Sequence, residues 1–135
     1  PAKITINCHG RLLSLEHPVV MGILNVTPDS FYADSRLLRQ PDLSVQAVID
    51  RAGLMLAEGA TLLDVGAYSA RPGAADITVQ EELDRLIPAL EALRQAFPDA
   101  LLSADTFRAA VARAAVHAGA QLINDVGGGT LDADM

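Results

Sequence analysis

Apolar positions along this chain follow two rhythms, and the switch between them predicts its elements. Val19, Val20, Met21, Ile23, Leu24 and Val26 form a near-continuous apolar run. Such a run predicts a strand over 19–25 that is covered on both faces, as in a parallel sheet. Shorter runs at 61–65, 101–105 and 121–126 predict three more strands. Between them the spacing lengthens to helical. Val45, Val48, Ile49, Ala52, Met55 and Leu56 predict a helix from about Leu43 to Glu58, capped by Asp42 and stopped by Gly59. Thr78-Val-Gln-Glu81 reads as a capping box opening a second helix on Leu83, Leu86, Ile87, Leu90 and Leu93, with a kink expected at Pro88. A third, Ala-rich helix is predicted over roughly Phe107 to Ala118 and stopped by Gly119. Residues 4–15 predict two short strands turning near His9-Gly10, a half-exposed hairpin covering one end of the fold.

An internal repeat sharpens the architecture. Glu58-Gly-Ala-Thr-Leu-Leu-Asp-Val-Gly66 parallels Ala118-Gly-Ala-Gln-Leu-Ile-Asn-Asp-Val-Gly127, with one extra residue in the second copy. Each is a helix stop, a buried strand, then an acidic residue and a glycine. Repeated helix–strand modules give right-handed crossovers and a parallel sheet. The repeat alone leaves an open doubly wound sheet and a barrel both standing. Four parallel strands, three helices and a hairpin make about half of an eight-stranded barrel of about 250 residues. Residues 1–135 are therefore expected to be one partial barrel domain whose carboxy-terminal half is absent, with open edges that favour self-association.

Composition narrows the partners. The net charge of −7, few aromatics and no Trp argue against nucleic acid. No apolar run approaches the roughly 20 residues of a membrane span. The single cysteine, Cys8, has no partner for a disulfide or a zinc site, which favours a cytoplasmic setting. His9, His17 and His117 are read as structural.

Polar residues gather where strands are expected to end: Asn25, Asp64, Asp105, Asn124 and Asp125. In a parallel barrel those ends converge on one mouth, where chemistry is placed. Asp and Asn together offer acceptors and amide donors, which suits a flat heterocycle with an amide-like edge, such as a pterin. Asp64 and Asp125 are expected instead to cap the turns that follow them, whereas Asp105 and Asn124 stand open between a ligand-binding and a structural role. Arg71, in Ser69-Ala-Arg-Pro-Gly73, is either a fork for an anion or a solvated loop cation. Gly127-Gly-Gly129 resembles a phosphate cradle only loosely.

Four motifs carry a family resemblance. Met21-Gly-Ile-Leu-Asn-Val-Thr-Pro-Asp-Ser-Phe31 resembles the first signature of dihydropteroate synthases, and Asp64-Val-Gly-Ala-Tyr-Ser-Ala-Arg-Pro-Gly73 the second. Ser103-Ala-Asp-Thr-Phe107 and Ile123-Asn-Asp-Val126 are similar to the family's third- and fourth-strand motifs. The resemblance implies the amino-terminal half of a TIM barrel. It also implies condensation of 6-hydroxymethyl-7,8-dihydropterin pyrophosphate with p-aminobenzoate to give 7,8-dihydropteroate and pyrophosphate.

By the same resemblance, Asp105 and Asn124 hold the pterin ring, and Asn25 helps hold Mg2+ and the pyrophosphate. Thr27, Pro28 and Phe31 belong to a first loop, and Ser69 and Pro72 to a second. Phe31 and Pro72 are implied as apolar walls of the p-aminobenzoate pocket. Asp29 and Arg71 are the implied catalytic groups, one facing developing positive charge and the other the leaving pyrophosphate. The full-length protein is implied to be a homodimer, and the 135-residue chain alone is expected to be inactive. Two departures stand out: Ala70 replaces the family's usual threonine, and Tyr32-Ala-Asp-Ser35 replaces its Ser-Asp-Gly-Gly. The rival readings are a non-catalytic pterin-binding or assembly module and a corrinoid-linked pterin methyltransferase. The Asn-Val-Thr-Pro-Asp-Ser and Arg-Pro-Gly motifs speak against the latter.

Overall fold

A computed structural model describes residues 4–27, 41–68 and 76–135. Two strands, β1 (Thr5–Cys8) and β2 (Arg11–Ser14), pair antiparallel. His9 and Gly10 between them have φ of 54° and 86°. Positive φ at both central residues is what a two-residue hairpin turn of matching twist demands, and Asn7 Oδ1 braces it by accepting from the Gly10 amide at 2.7 Å.

The main sheet is parallel, in the order β3 (Val20–Asn25), β4 (Ala60–Gly66), β5 (Leu101–Asp105) and β6 (Leu122–Asn124). Helices α1 (Pro41–Ala57), α2 (Val79–Ala96) and α3 (Ala109–His117) make the crossovers. Sequential strands lying side by side, each joined by a helix, are the layout of an (β/α) barrel wall.

Alternation along the strands sorts their side chains onto two faces. Leu24, Leu63, Val65, Leu102 and Ala104 turn towards the helices and meet Val48, Ala52, Leu86, Leu90, Leu93 and Val111 in the principal core. Each fully buried leucine there contributes roughly 1.5–3 kcal/mol. The opposite face is covered at its lower end. There Leu62, Leu101 and Leu122 pack beneath Cys8 and Leu13 of the hairpin, which seals the amino-terminal end of the sheet.

Several boundaries differ from those the sequence predicts. α1 begins at Pro41, so Asp42 lies inside its first turn and is not its cap. Proline is at home at a first helical position, where its missing amide has no partner to lose. α2 runs on through Pro88 to Ala96, opened by the expected capping box: Thr78 Oγ1 accepts from the Glu81 amide at 3.1 Å and Glu81 Oε2 from the Thr78 amide at 2.8 Å. α3 starts at Ala109, two residues later than predicted; the distant Asp132 carboxylate accepts from the Ala109 amide at 2.7 Å. β6 stops at Asn124, short of the predicted Val126, because Asp125 draws the following backbone into a turn. The internal repeat survives in detail: Gly59 and Gly119 both adopt φ +110°, a conformation closed to most residues with a Cβ.

Arg94, in the last turn of α2, ties three elements together. Its guanidinium donates to the carbonyls of Pro98, Ala100 and Gly119 and to Gln121 Oε1, at 2.7–3.0 Å. Burial, and then the charge of Arg11, lowers its pKa, yet four acceptors hold the cation. Arg94→Met should therefore cost about 2–4 kcal/mol, since it strands carbonyls that lose charge-assisted bonds. Urea unfolding followed by circular dichroism measures this, and a loss below about 1 kcal/mol would show that water replaces the guanidinium.

Candidate functional site

The upper end of the inner face is polar. Register places Asn25 beside Gly66, Gly66 beside Asp105, and Asp105 beside Asn124, so all four strand ends lie in one row. Aligned residues in a parallel sheet share a face, and neighbouring strands lie about 4.8 Å apart. Asn25 and Asn124 thus bracket a rim of about 14 Å with Asp105 between them. Backbone bonds fix the row from just above, Val26 N–H to the Gly66 carbonyl at 2.8 Å and Thr106 N–H to the Asn124 carbonyl at 3.1 Å.

Gly66 is the gap in the row. A Cβ there would lie 3.3 Å from both Cβ and Oδ2 of Asp105, so the missing side chain gives the Asp105 carboxyl its place. Asp105 is half-buried, and its pKa is raised first by burial and then by the charges of Asp64, Glu82 and Asp125. Among the described residues no cation pairs with it, and a hydrogen-bond donor brought by a ligand would relieve it.

One step down the same face lies Asp64, only 3% exposed. Asp64 does not cap a turn, contrary to expectation. Its Oδ2 accepts from Asn124 Nδ2 at 2.9 Å, across β5. A carboxylate only accepts, so this bond turns the amide nitrogen downwards and leaves Asn124 Oδ1 as an acceptor at the rim. Among the described residues, Asp64 Oδ1 and Ser103 Oγ, aligned in register, are buried and have no hydrogen-bond partner. Asp125 behaves as expected, its two oxygens accepting from the Gly127 and Gly129 amides at 2.7 Å each.

The structure thus brings Asn25, Asp105 and Asn124 together, with Thr27 half-buried two residues beyond Asn25. Pro28, Asp29, Phe31, Ser69, Arg71 and Pro72 lie outside the described residues. Among the described residues no group of three or more His, Cys, Asp or Glu gathers as a metal cage. Asn25 offers one hard oxygen at the rim. That fits a magnesium ion held mainly by waters and a bound phosphate group. Sequence reasoning missed the linkage of Asp64 to Asn124 and the part played by Gly66. Parity was the available signal: Asp64 and Gly66 are out of step with Leu63 and Val65, and so must face away from the helices.

Residues 21–135 match the profile of the family described as pterin binding enzyme. The dihydropteroate synthase of Escherichia coli K12 is 47% identical over 117 residues, which are 87% of this chain and 39% of that protein. The mitochondrial folate synthesis bifunctional protein of Arabidopsis thaliana is 47% identical over 118 residues, 86% of this chain and 20% of that protein. A solved structure of Xanthomonas albilineans dihydropteroate synthase with 4-aminobenzoic acid superposes with a TM-score of 0.83 at 47% identity. It covers 96% of this chain and 45% of that one. The chain therefore spans between a fifth and two-fifths of the two curated relatives named here. The four strands and three helices match the amino-terminal part of the barrel, as the sequence predicts.

Two variants test the rim. Because the folded pKa of Asp105 is raised, its ionised form opposes folding at neutral pH, and the penalty fades as pH falls through the folded value towards 3.8. Asp105→Asn should therefore raise Tm at pH 7.5, with the advantage over the parent closing towards pH 4; a constant gap would contradict this origin. Gly66→Ala should cost roughly 1–2 kcal/mol by crowding Asp105, read from the same melts.

Proposed function

This chain belongs to the family of pterin binding enzymes, and from that membership we propose that it supplies the pterin-holding wall of a dihydropteroate synthase. The observation that carries the reading is the row Asn25, Gly66, Asp105, Asn124, a polar rim with the buried Asp64 one step below it. The substrates are 6-hydroxymethyl-7,8-dihydropterin pyrophosphate and p-aminobenzoate. A cytoplasmic setting and a homodimer of the full-length protein are part of the proposal. So is Mg2+, with Asn25 as its protein oxygen.

In this reading the Asp105 carboxylate accepts from N–H groups on the pterin's edge. Asn124, held by Asp64, presents Oδ1 and its remaining N–H to the same ring. Such matched polar groups discriminate strongly, because a ring without them leaves buried atoms unpaired. Asn25 lies at the far end of the rim, where the diphosphate tail would extend. When bound there, magnesium supplies positive charge that neutralises the departing diphosphate.

Asp29 faces the positive charge that develops on the pterin's methylene carbon as the C–O bond breaks, and Arg71 pairs with the released diphosphate. The arylamine nitrogen then forms the C–N bond and loses its proton to solvent. Thr27, Pro28, Phe31, Ser69 and Pro72 shape the approach of the arylamine. The family motifs support these loop roles.

Titration calorimetry with 6-hydroxymethylpterin tests the rim directly. The 135-residue chain should bind it, with Asp105→Asn and Asn124→Ala each weakening affinity roughly 10–100-fold. Failure of a folded chain to bind would sink the reading. The chain alone should form no dihydropteroate, and should form it when the carboxy-terminal part of the Escherichia coli relative is supplied in trans. Binding without turnover in that mixture would favour the non-catalytic pterin-binding module instead. Ile23 and Val20 on the β3 edge are about 60% exposed, which supports self-association of the isolated chain; sedimentation velocity should show mass rising with concentration.

A further inference from the structure

Above the rim, beside β4 and β5, lies a second cluster that binding of the pterin does not use. Arg108 follows Asp105 by three residues, and its guanidinium is engaged on every side. Its Nη1 donates to Glu82 Oε2 at 2.8 Å, and that carboxylate is completely buried. Its Nη2 donates to the Ile77 carbonyl at 2.7 Å and lies 3.6 Å from Asp76 Oδ1. The guanidinium carbon sits 5.4 Å from the centre of the Tyr68 ring and 5.1 Å from that of Phe107. Those rings themselves meet edge to face, at 5.3 Å and 87°. The Tyr68 hydroxyl donates to Asp76 Oδ1 at 2.8 Å.

The positions of these partners in the chain give the cluster its meaning. Tyr68 immediately precedes segment 69–75, and Asp76 and Ile77 immediately follow it. A buried glutamate needs a cation, but it does not need one whose other nitrogen takes a carbonyl from Ile77 and lies near a carboxylate on Asp76, beyond segment 69–75. A lysine would satisfy Glu82 as a point charge; only a planar fork reaches both sides at once. On the other side, Arg108 N–H donates to Thr106 Oγ1, and Thr106 N–H donates to the Asn124 carbonyl, so the cluster is anchored to the rim.

We propose that Arg108 is a positioning residue whose guanidinium holds the two ends of segment 69–75 together at a fixed place beside Asp105. Its bearing on catalysis rests on the reading above, in which this segment carries Ser69, Arg71 and Pro72. Arg108 acts through other residues: it fixes where Tyr68, Asp76 and Ile77 stand relative to Asp105. The raised pKa of Tyr68, caused first by its bond to Asp76 and opposed by the charge of Arg108, provides an internal gauge.

The gauge is readable because the chain has two tyrosines and no tryptophan. In a Tyr32→Phe background, ultraviolet absorbance follows Tyr68 alone, with circular dichroism confirming the fold through the titration. Arg108→Lys keeps the charge beside Glu82 but not the fork, and the double variant Glu82→Gln/Arg108→Met removes both buried charges in case the lysine variant fails to fold. If Arg108 holds the stems, the Tyr68–Asp76 bond loosens and the tyrosine pKa falls towards its ordinary 10.0 in either variant. If that bond is independent of Arg108, the pKa stays raised in Arg108→Lys and also in the double variant, where losing the Arg108 charge and losing the Glu82 charge act in opposite directions; either result overturns the proposal. In the trans-complemented enzyme, Arg108→Lys should lower kcat/KM for p-aminobenzoate about 10–100-fold, while the Kd for 6-hydroxymethylpterin changes less than about threefold. An equal loss in both would mean that Arg108 acts on the whole rim. Absence of activity in the unsubstituted mixture would count against the proposed reaction alone, because the tyrosine titration decides the role of Arg108 by itself.

Discussion

Registry between parallel strands is the constraint on which the rest of this structure depends. Parallel ladders admit no gradual slip, since a shift by one residue turns every side chain to the other face. Moving β5 by one position against β4 would send Asp105 into the helix-packed layer and Ala104 to the rim. What fixes the register is the apolar layer on the helix side, where Leu63, Val65, Leu102 and Ala104 are fully buried. The polar row is held in place by residues that never touch it.

That division explains the odd environment of the acids. Asp64 and Ser103 sit in central strands, where neighbours on both sides remove water, whereas Asn25 and Asn124 occupy edge strands and remain exposed. Burial and mutual repulsion then act on Asp105 together. Left to itself such a cluster opposes folding, and the core beneath must outweigh it. Sites that bind polar ligands commonly carry this local cost, which the ligand's own hydrogen bonds offset. The buried Glu82–Arg108 pair follows the same logic: the pair adds little net stability, and either partner alone would be strongly unfavourable.

Much of this was legible in the chain itself, for reasons that differ from element to element. β5 is read to its last residue because Leu101-Leu-Ser-Ala-Asp105 sits between a turn and a helix, with nothing to compete. The capping box at Thr78 is legible because its two partners lie three residues apart. β6 is read too long because Asp125 offers its backbone a local alternative, bonding two glycine amides ahead of it. The start of α3 shifts for the opposite reason: the Ala109 amide finds its partner in Asp132, which lies 23 residues away and leaves no local trace. Asn25, Asp105 and Asn124 were found from their place at strand ends. Arg108 was not, since its chief partner Glu82 lies 26 residues earlier on a helix whose pattern marks it as just another polar position.

The hairpin at the opposite end carries a consequence of its own. Cys8 is fully buried where β1 presses on Leu62 and Leu101. No reagent can reach this sulfur unless the β-ribbon peels away from the floor of the sheet. Under native conditions its alkylation rate would therefore count those excursions directly, converting the chain's only thiol into a clock for local opening far from the polar rim.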